Sequence, residues 1–241
     1  MSFYQQLNHY YDLLFPANPA QIQFIEKHCA PGARILDIAA GTGNQALLLA
    51  KKGFEVTATD NEQEMVEKMK EKAENDNVDL NVMKLSMEKI ELLDTVTFDT
   101  IICIGNSIVH LQSLEHIRQM ITNLYKMLES DGTLIIQTVN YDRIIAQHIT
   151  NLPIIKKPEG ITFARTYDIQ NNKILFTGAL TVEMNGETQF FENTVELYPL
   201  QSYEMVSVLQ EAGFSEIALY GDFQEQEYTV TSPAMIVIAK K

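Results

Sequence analysis

Across the first 140 residues the chain alternates between short, nearly unbroken apolar runs and longer stretches in which apolar residues recur with a helical period. Strands are predicted at 34–38 (RILDI), 54–60 (FEVTATD), 78–85 (VDLNVMKL), 98–104 (FDTIICI) and 133–139 (TLIIQTV). The fourth is almost wholly apolar, as a strand covered on both faces must be. Between them, ALLLAKK reads as a helix stopped by Gly53. Asn61 with Glu64 three residues on predicts a capping pair for a second helix reaching about Asn75. Ser113 opens a third, with Leu114, Ile117, Ile121, Leu124 and Leu128 on one face and Asp131-Gly132 as its stop. Strand and helix in this alternation imply a parallel sheet with helices on both faces.

After about Asn151 the period falls to two. ITFARTYDIQ, KILFTGALTVEM and ETQFFENTVEL alternate as antiparallel strands do, and Asn185-Gly186 predicts a two-residue hairpin between the last pair. A helix at 202–212, stopped by Gly213, and strands at 216–220 and 234–240 follow. The expected fold is α/β: a doubly wound, mainly parallel seven-stranded sheet with an antiparallel β-meander inserted after the fifth strand. Residues 1–150 with 201–241 would form the ligand-binding core. Residues 151–200 would sit at the sheet's carboxyl rim as a lid and substrate element, or as a dimer-forming one.

The 46% apolar content over 241 residues fits a folded globular chain. A net charge of −14 argues against a nucleic-acid partner, which demands a basic face. No run of about 18 apolar residues predicts a membrane span. The start, MSFYQQLNHYYDLLF, lacks the marks of a secretory signal, and Cys29 and Cys103 read as buried free thiols, so a cytoplasmic protein is expected. His9, His28, His110, His116 and His148 fall in no metal-binding spacing, and no metal is expected.

Candidate chemistry centres on ILDIAAGTGNQA (35–46), an apolar strand running into a small-residue turn. Gly41 and Gly43 let backbone approach a ligand at a helix N-terminus. The spacing also fits the dinucleotide fingerprint, leaving a nicotinamide-dependent oxidoreductase as an alternative. Asp37 weighs against a diphosphate there and favours a ligand amino group. Asp60, ending the second strand, is placed to accept hydrogen bonds from ribose hydroxyls. A ligand with a ribose, an ammonium and no phosphate is S-adenosyl-L-methionine.

LDIAAGTGNQALLLAKKGFEVTATDNEQEMVEKMK resembles the first two motifs of the class I S-adenosylmethionine-dependent methyltransferases, with Ala39 where glycine is frequent. The resemblance implies a Rossmann-like methyltransferase fold over nearly the whole chain. It implies a cofactor site of Tyr11, Asp37, Ala39, Gly41, Gly43, Asp60, Asn61, Ser86, Met87, Ile104, Gly105 and His110, with Tyr4 a further candidate in the amino-terminal segment. FDTIICIGNSIVHL and QTVNYDRII are similar to the glycine N-methyltransferase group, whose G-N-S-x-x-H-L and N-Y-D stretches they share. That similarity assigns Asn106 to the acceptor and His110 to the cofactor side, both candidates for the catalytic centre. Those relatives carry an arginine just before N-Y-D to grip a substrate carboxylate; here Val139 stands in its place. Arg143 or Arg165 would have to supply the charge, and Tyr167 and Tyr198 are further candidates for the pocket. The expected activity is methylation of a small molecule, on the nitrogen of an amine or amino-acid-like acceptor, by a chain that also forms a homodimer if the meander is its interface. Val139 also leaves open a binding protein without catalysis.

Overall fold

The computed structural model describes residues 3–184 and 186–241. Two helices, α1 (Phe3–Leu14) and α2 (Pro19–Lys27), lead into an alternation of β1 (Arg34–Ile38), α3 (Asn44–Lys51), β2 (Glu55–Asp60), α4 (Gln63–Asn75), β3 (Asn81–Lys84), β4 (Phe98–Cys103), α5 (Leu114–Met127), β5 (Leu128–Val139) and α6 (Tyr141–Ala146). Four strands follow, β6 (Ile155–Lys157), β7 (Ile161–Gln170), β8 (Lys173–Met184) and β9 (Glu187–Leu197). Then come α7 (Ser202–Ala212), β10 (Glu216–Tyr220) and β11 (Ala234–Lys240).

Seven strands form one sheet in the order β10-β11-β5-β4-β1-β2-β3. All pair in parallel except β11, which runs antiparallel to both of its neighbours. Successive residues point to opposite faces, and both faces are covered. Ile101, Cys103, Leu134, Ile136 and Val237 pack with α5 and α7, while Ile102, Ile135 and Ile236 pack with α2 and α3. Each such isoleucine or leucine contributes about 1.5–3 kcal/mol by burial. Strand order reverses at β1 and β4, which opens a crevice beyond their carboxyl ends.

The meander is a separate antiparallel sheet, β6-β7-β8-β9. Tyr167, Ile174 and Leu197 join it to the α5–α7 core, and Phe163, Leu180 and Val182 bury Leu14 of α1. Its first strand, β6, falls outside the three predicted by alternation, because IKK is too short to show a period. The hairpin residue Asn185 lies outside the described residues, though Met184 pairs with Glu187 as a two-residue loop requires.

Three boundaries differ from expectation. The third strand is only Asn81–Lys84. α5 ends at Met127, because Leu128 is already extended and pairs with Phe98. Asp131-Gly132 therefore stops no helix: Asp131 is left-handed (φ +64°), and the β4–β5 register shifts across this stretch. Asn61 does not cap α4, whose N-cap is Glu62. No helix among the described residues is long and apolar enough to cross a membrane.

Candidate active site

β1 and β2 end side by side, with Asp37 opposite Ala58 and Asp60 two residues further along its strand. From β1 the chain turns through three left-handed residues, Ala39 (φ +56°), Gly41 (φ +60°) and Gly43 (φ +78°). At Ala39 this costs about 1–2 kcal/mol. Two hydrogen bonds hold the turn against that strain: Ala40 N–H donates to the Thr59 carbonyl at 2.8 Å, and Gly41 N–H to Asp60 Oδ2 at 2.8 Å. Gly43 serves packing instead, since a Cβ there would stand 2.5 Å from Cγ of the fully buried Met69.

Asp60 also accepts the Glu62 N–H on Oδ1 at 2.9 Å, in the turn that precedes α4. Burial raises its pKa, opposed by the backbone donors of Glu62, Gly41 and Asn61. Asp37 has no such support. It is 4% exposed, and its Oδ2 is buried without a hydrogen-bond partner. Burial, and then the neighbouring Asp60 charge, push its pKa up to about 8. A buried acid left unpaired in this way holds its proton, and a cation arriving beside it would favour the ionised form. The turn, the unpaired Asp37 and the carboxylate of Asp60 fit the amino-acid and ribose ends of S-adenosylmethionine. A diphosphate would meet both acids.

α1 closes over this turn. A Cβ on Gly41 would lie 3.1 Å from the Tyr11 hydroxyl and 3.2 Å from its ring. Burial pushes the Tyr11 pKa up to about 12, helped by Asp60, Asp12 and Asp37. One residue along, Asp12 accepts the Thr42 hydroxyl and pairs with Lys72 at 3.2 Å and Lys68 at 3.6 Å. Lys72 also reaches the Thr42 carbonyl at 3.0 Å and Asn44 Oδ1 at 2.6 Å, tying α1, α4 and the glycine turn together. The side chain of Tyr4, also in α1, lies outside the described residues.

Two cavities open beyond the strand ends. The first, about 400 Å³, is lined by Tyr11, Ala39, Gly41, Asp60, Asn61, Ser86, Met87, Gly105 and His110, all anticipated in the sequence. Leu85, Glu88 and Leu111 line it too, and only their proximity to the motifs pointed to them. The Ser86 hydroxyl is engaged in accepting the Glu88 N–H at 3.2 Å, capping a 3-10 turn. Asp37 and Gly43 are not on this wall, and Ile104 packs into the core beside Ile102 and Ile135.

The second cavity, about 250 Å³, is lined by Gly105, Asn106, His110, Val139, Arg165 and Tyr167, with Phe163, Phe176 and Val195 among its apolar walls. It shares Leu7, Gly105 and His110 with the first. Desolvation lowers the pKa of His110, which lines both cavities. Arg143 and Tyr198 line neither cavity. α6 turns Tyr141 and Ile144 inward and leaves Arg143 on another face, while the Tyr198 hydroxyl donates to Glu204 Oε1 at 2.6 Å beside α7.

Asn106 sits in a left-handed conformation (φ +69°), and both ends of its amide are hydrogen-bonded. Its Oδ1 accepts the Val139 N–H at 2.9 Å, and its Nδ2 donates to the Tyr141 hydroxyl at 3.0 Å. The preceding Gly105 N–H donates to Gln137 Oε1 at 2.8 Å. Tyr141, 1% exposed, is in turn hydrogen-bonded to Tyr167, linking the Asn106 loop to the meander. Sequence reasoning assigned Tyr141 no role, although it stands inside the N-Y-D signature.

A family model described as a methyltransferase domain matches residues 35–132. The glycine/sarcosine N-methyltransferase of Aphanothece halophytica is 29% identical over 225 residues, 91% of this chain and 80% of its own. A crystal structure of an S-adenosylmethionine-dependent methyltransferase from Clostridium acetobutylicum shares the fold with a TM-score of 0.84 at 16% identity, over 98% of both chains. A sugar N-methyltransferase from Streptoalloteichus does so with a TM-score of 0.73 at 17% identity, over 96% of this chain and 92% of its own. These findings set aside both the oxidoreductase and the binding protein without catalysis. The chain belongs to the S-adenosylmethionine-dependent methyltransferases, and S-adenosylmethionine is its methyl donor.

Proposed function

We propose that the protein methylates the nitrogen of a small amine, and that this amine occupies the second cavity with its nitrogen at the junction formed by Gly105 and His110. The observation that carries the reading is the junction itself, where the second cavity meets the first at Gly105 and His110. An amine attacks only when uncharged, so the acceptor sheds its proton before transfer. The relatives support nitrogen as the acceptor atom, since one is named for glycine and sarcosine and another for a sugar, both as N-methyltransferases.

S-adenosylmethionine supplies an electrophilic methyl group on a sulfonium sulfur; the chain's residues place it and its acceptor. Asp37 pairs with the amino-acid ammonium, and Asp60 accepts from the ribose hydroxyls while keeping its backbone donors. Met87 packs against the adenine. Tyr11, carried on α1, covers the glycine turn and excludes water from the junction. Asn106 fixes the loop on which the acceptor nitrogen rests, so that nucleophile, methyl and sulfur fall in line.

Transfer of labelled methyl groups to panels of amines, amino acids and phenols tests this reading. Label should enter the nitrogen compounds, with S-adenosylhomocysteine formed in equal amount. Label entering phenols alone, or none of the panels, contradicts it.

A further inference from the structure

The wall of the second cavity opposite the cofactor crevice carries an uncommon arrangement. Across the meander, Arg165 of β7 pairs with Gly178 of β8, and Gly178 with Asn193 of β9. Arg165 and Asn193 both line the cavity, and the glycine between them makes room for aromatic rings, since a Cβ there would lie 3.1 Å from those of Phe163 and Phe3. No acidic side chain is among the described residues lining this cavity, although the chain as a whole carries a net charge of −14. Arg165 Nη2 donates to the Pro153 carbonyl at 2.8 Å, but Nε is buried with no acceptor. Burial lowers the guanidinium's pKa, and only Tyr167 opposes it. A half-buried cation that lines a half-open cavity and has no carboxylate partner among the described residues is an incomplete ion pair.

We propose that Arg165 is the specificity-determining residue for the acceptor, binding the carboxylate that the acceptor carries. The inference rests on the N-methyltransferase reading and deepens it. A single guanidinium matches one monoanionic group. The position before N-Y-D, Val139, is apolar and lines the same cavity. The charge therefore comes from the inserted meander rather than from β5. The acceptor bound between Arg165 and Gly105 has room to be larger than glycine, because the cavity holds about 250 Å³ and Val139, Phe163 and Phe176 give it apolar walls. An amino acid with an apolar side chain meets all three demands.

Leucine, leucinamide, isoamylamine, glycine and glucosamine 6-phosphate serve as probes. Each is tested for methyl transfer and for calorimetric binding to the complex with S-adenosylhomocysteine. Leucine should exceed leucinamide and isoamylamine by about 10- to 150-fold in kcat/KM or affinity, the range for a charge-assisted contact. Arg165→Gln should erase most of that preference, chiefly through KM, while leaving the affinity for S-adenosylhomocysteine unchanged. Equal treatment of acid and amide by the unaltered protein, in turnover and in binding, overturns the proposal without any variant. A preference for glucosamine 6-phosphate or for glycine overturns it as well. Failure to methylate any amine while the cofactor binds would instead bring down the N-methyltransferase reading.

Discussion

Binding of S-adenosylmethionine should release a proton from Asp37. In the free protein that carboxyl has a pKa of about 8, raised by burial and by Asp60, so it is almost wholly protonated at pH 6.5. An ammonium beside it favours the ionised form, and its proton must leave as the ligand arrives. Affinity should then rise about tenfold per pH unit from pH 6 to 7.5, or about 1.4 kcal/mol per unit, and level off near pH 8. The same group sets a stability slope. Its folded pKa lies above the usual carboxylate value of 3.8, so between about pH 4 and 8 the folded state binds the extra proton. Stability therefore falls as pH rises through that window, by up to about 1.4 kcal/mol per unit. Titration calorimetry at pH 6.5 in two buffers of different ionisation enthalpy measures the proton count. About one proton released per cofactor bound is expected, and none in Asp37→Asn. Zero release from the unaltered protein refutes the assignment of the ammonium to Asp37.

Asp60→Ala should weaken cofactor binding by about 1–3 kcal/mol, the scale of charge-assisted hydrogen bonds. It should also lower the melting temperature, because Gly41 and Glu62 lose their acceptor; unchanged affinity in a folded variant removes Asp60 from the ribose site. Asn106→Ala should cut turnover far more than cofactor affinity, since it frees Gly105–Asn106 from Val139 and Tyr141; the opposite pattern in steady-state kinetics and calorimetry moves Asn106 out of the acceptor site. Gly43→Ala should destabilise the fold by about 2–4 kcal/mol, adding left-handed strain to a clash with Met69. An unchanged denaturation midpoint contradicts that packing role.

The parts of the fold visible in sequence are those set by local chemistry. β1, β2 and β4 are read from apolar runs, and Asp37 and Asp60 from their places at the ends of those runs. β5 was read too short because Asp131-Gly132 looks like a helix stop, whereas Leu128 leaves the helix earlier to pair with Phe98. That pairing is tertiary and leaves no local mark. The Asn61-Glu64 pattern failed because α4 starts one residue later than it implies, with Glu62 as the N-cap. At the site, the glycine turn and the G-N-S-x-x-H-L stretch announce themselves. Which of Arg143 and Arg165 reaches the cavity depends on how the meander folds back over β5, and sequence alone carried no answer. Tyr141 was overlooked because burial, not exposure, gives it importance: it is the link from Asn106 to Tyr167. The latch from Asp12 to Thr42 and Lys72 likewise joins residues 30 and 60 positions apart.

The most direct test is a crystal structure with S-adenosylhomocysteine bound. Its amino group should lie about 3 Å from Asp37 and its ribose hydroxyls within hydrogen-bonding reach of Asp60, with the sulfur facing the junction at Gly105 and His110. A cofactor lying in the reverse direction, or one whose amino group stays away from Asp37, contradicts the assignment of the two strand-tip acids.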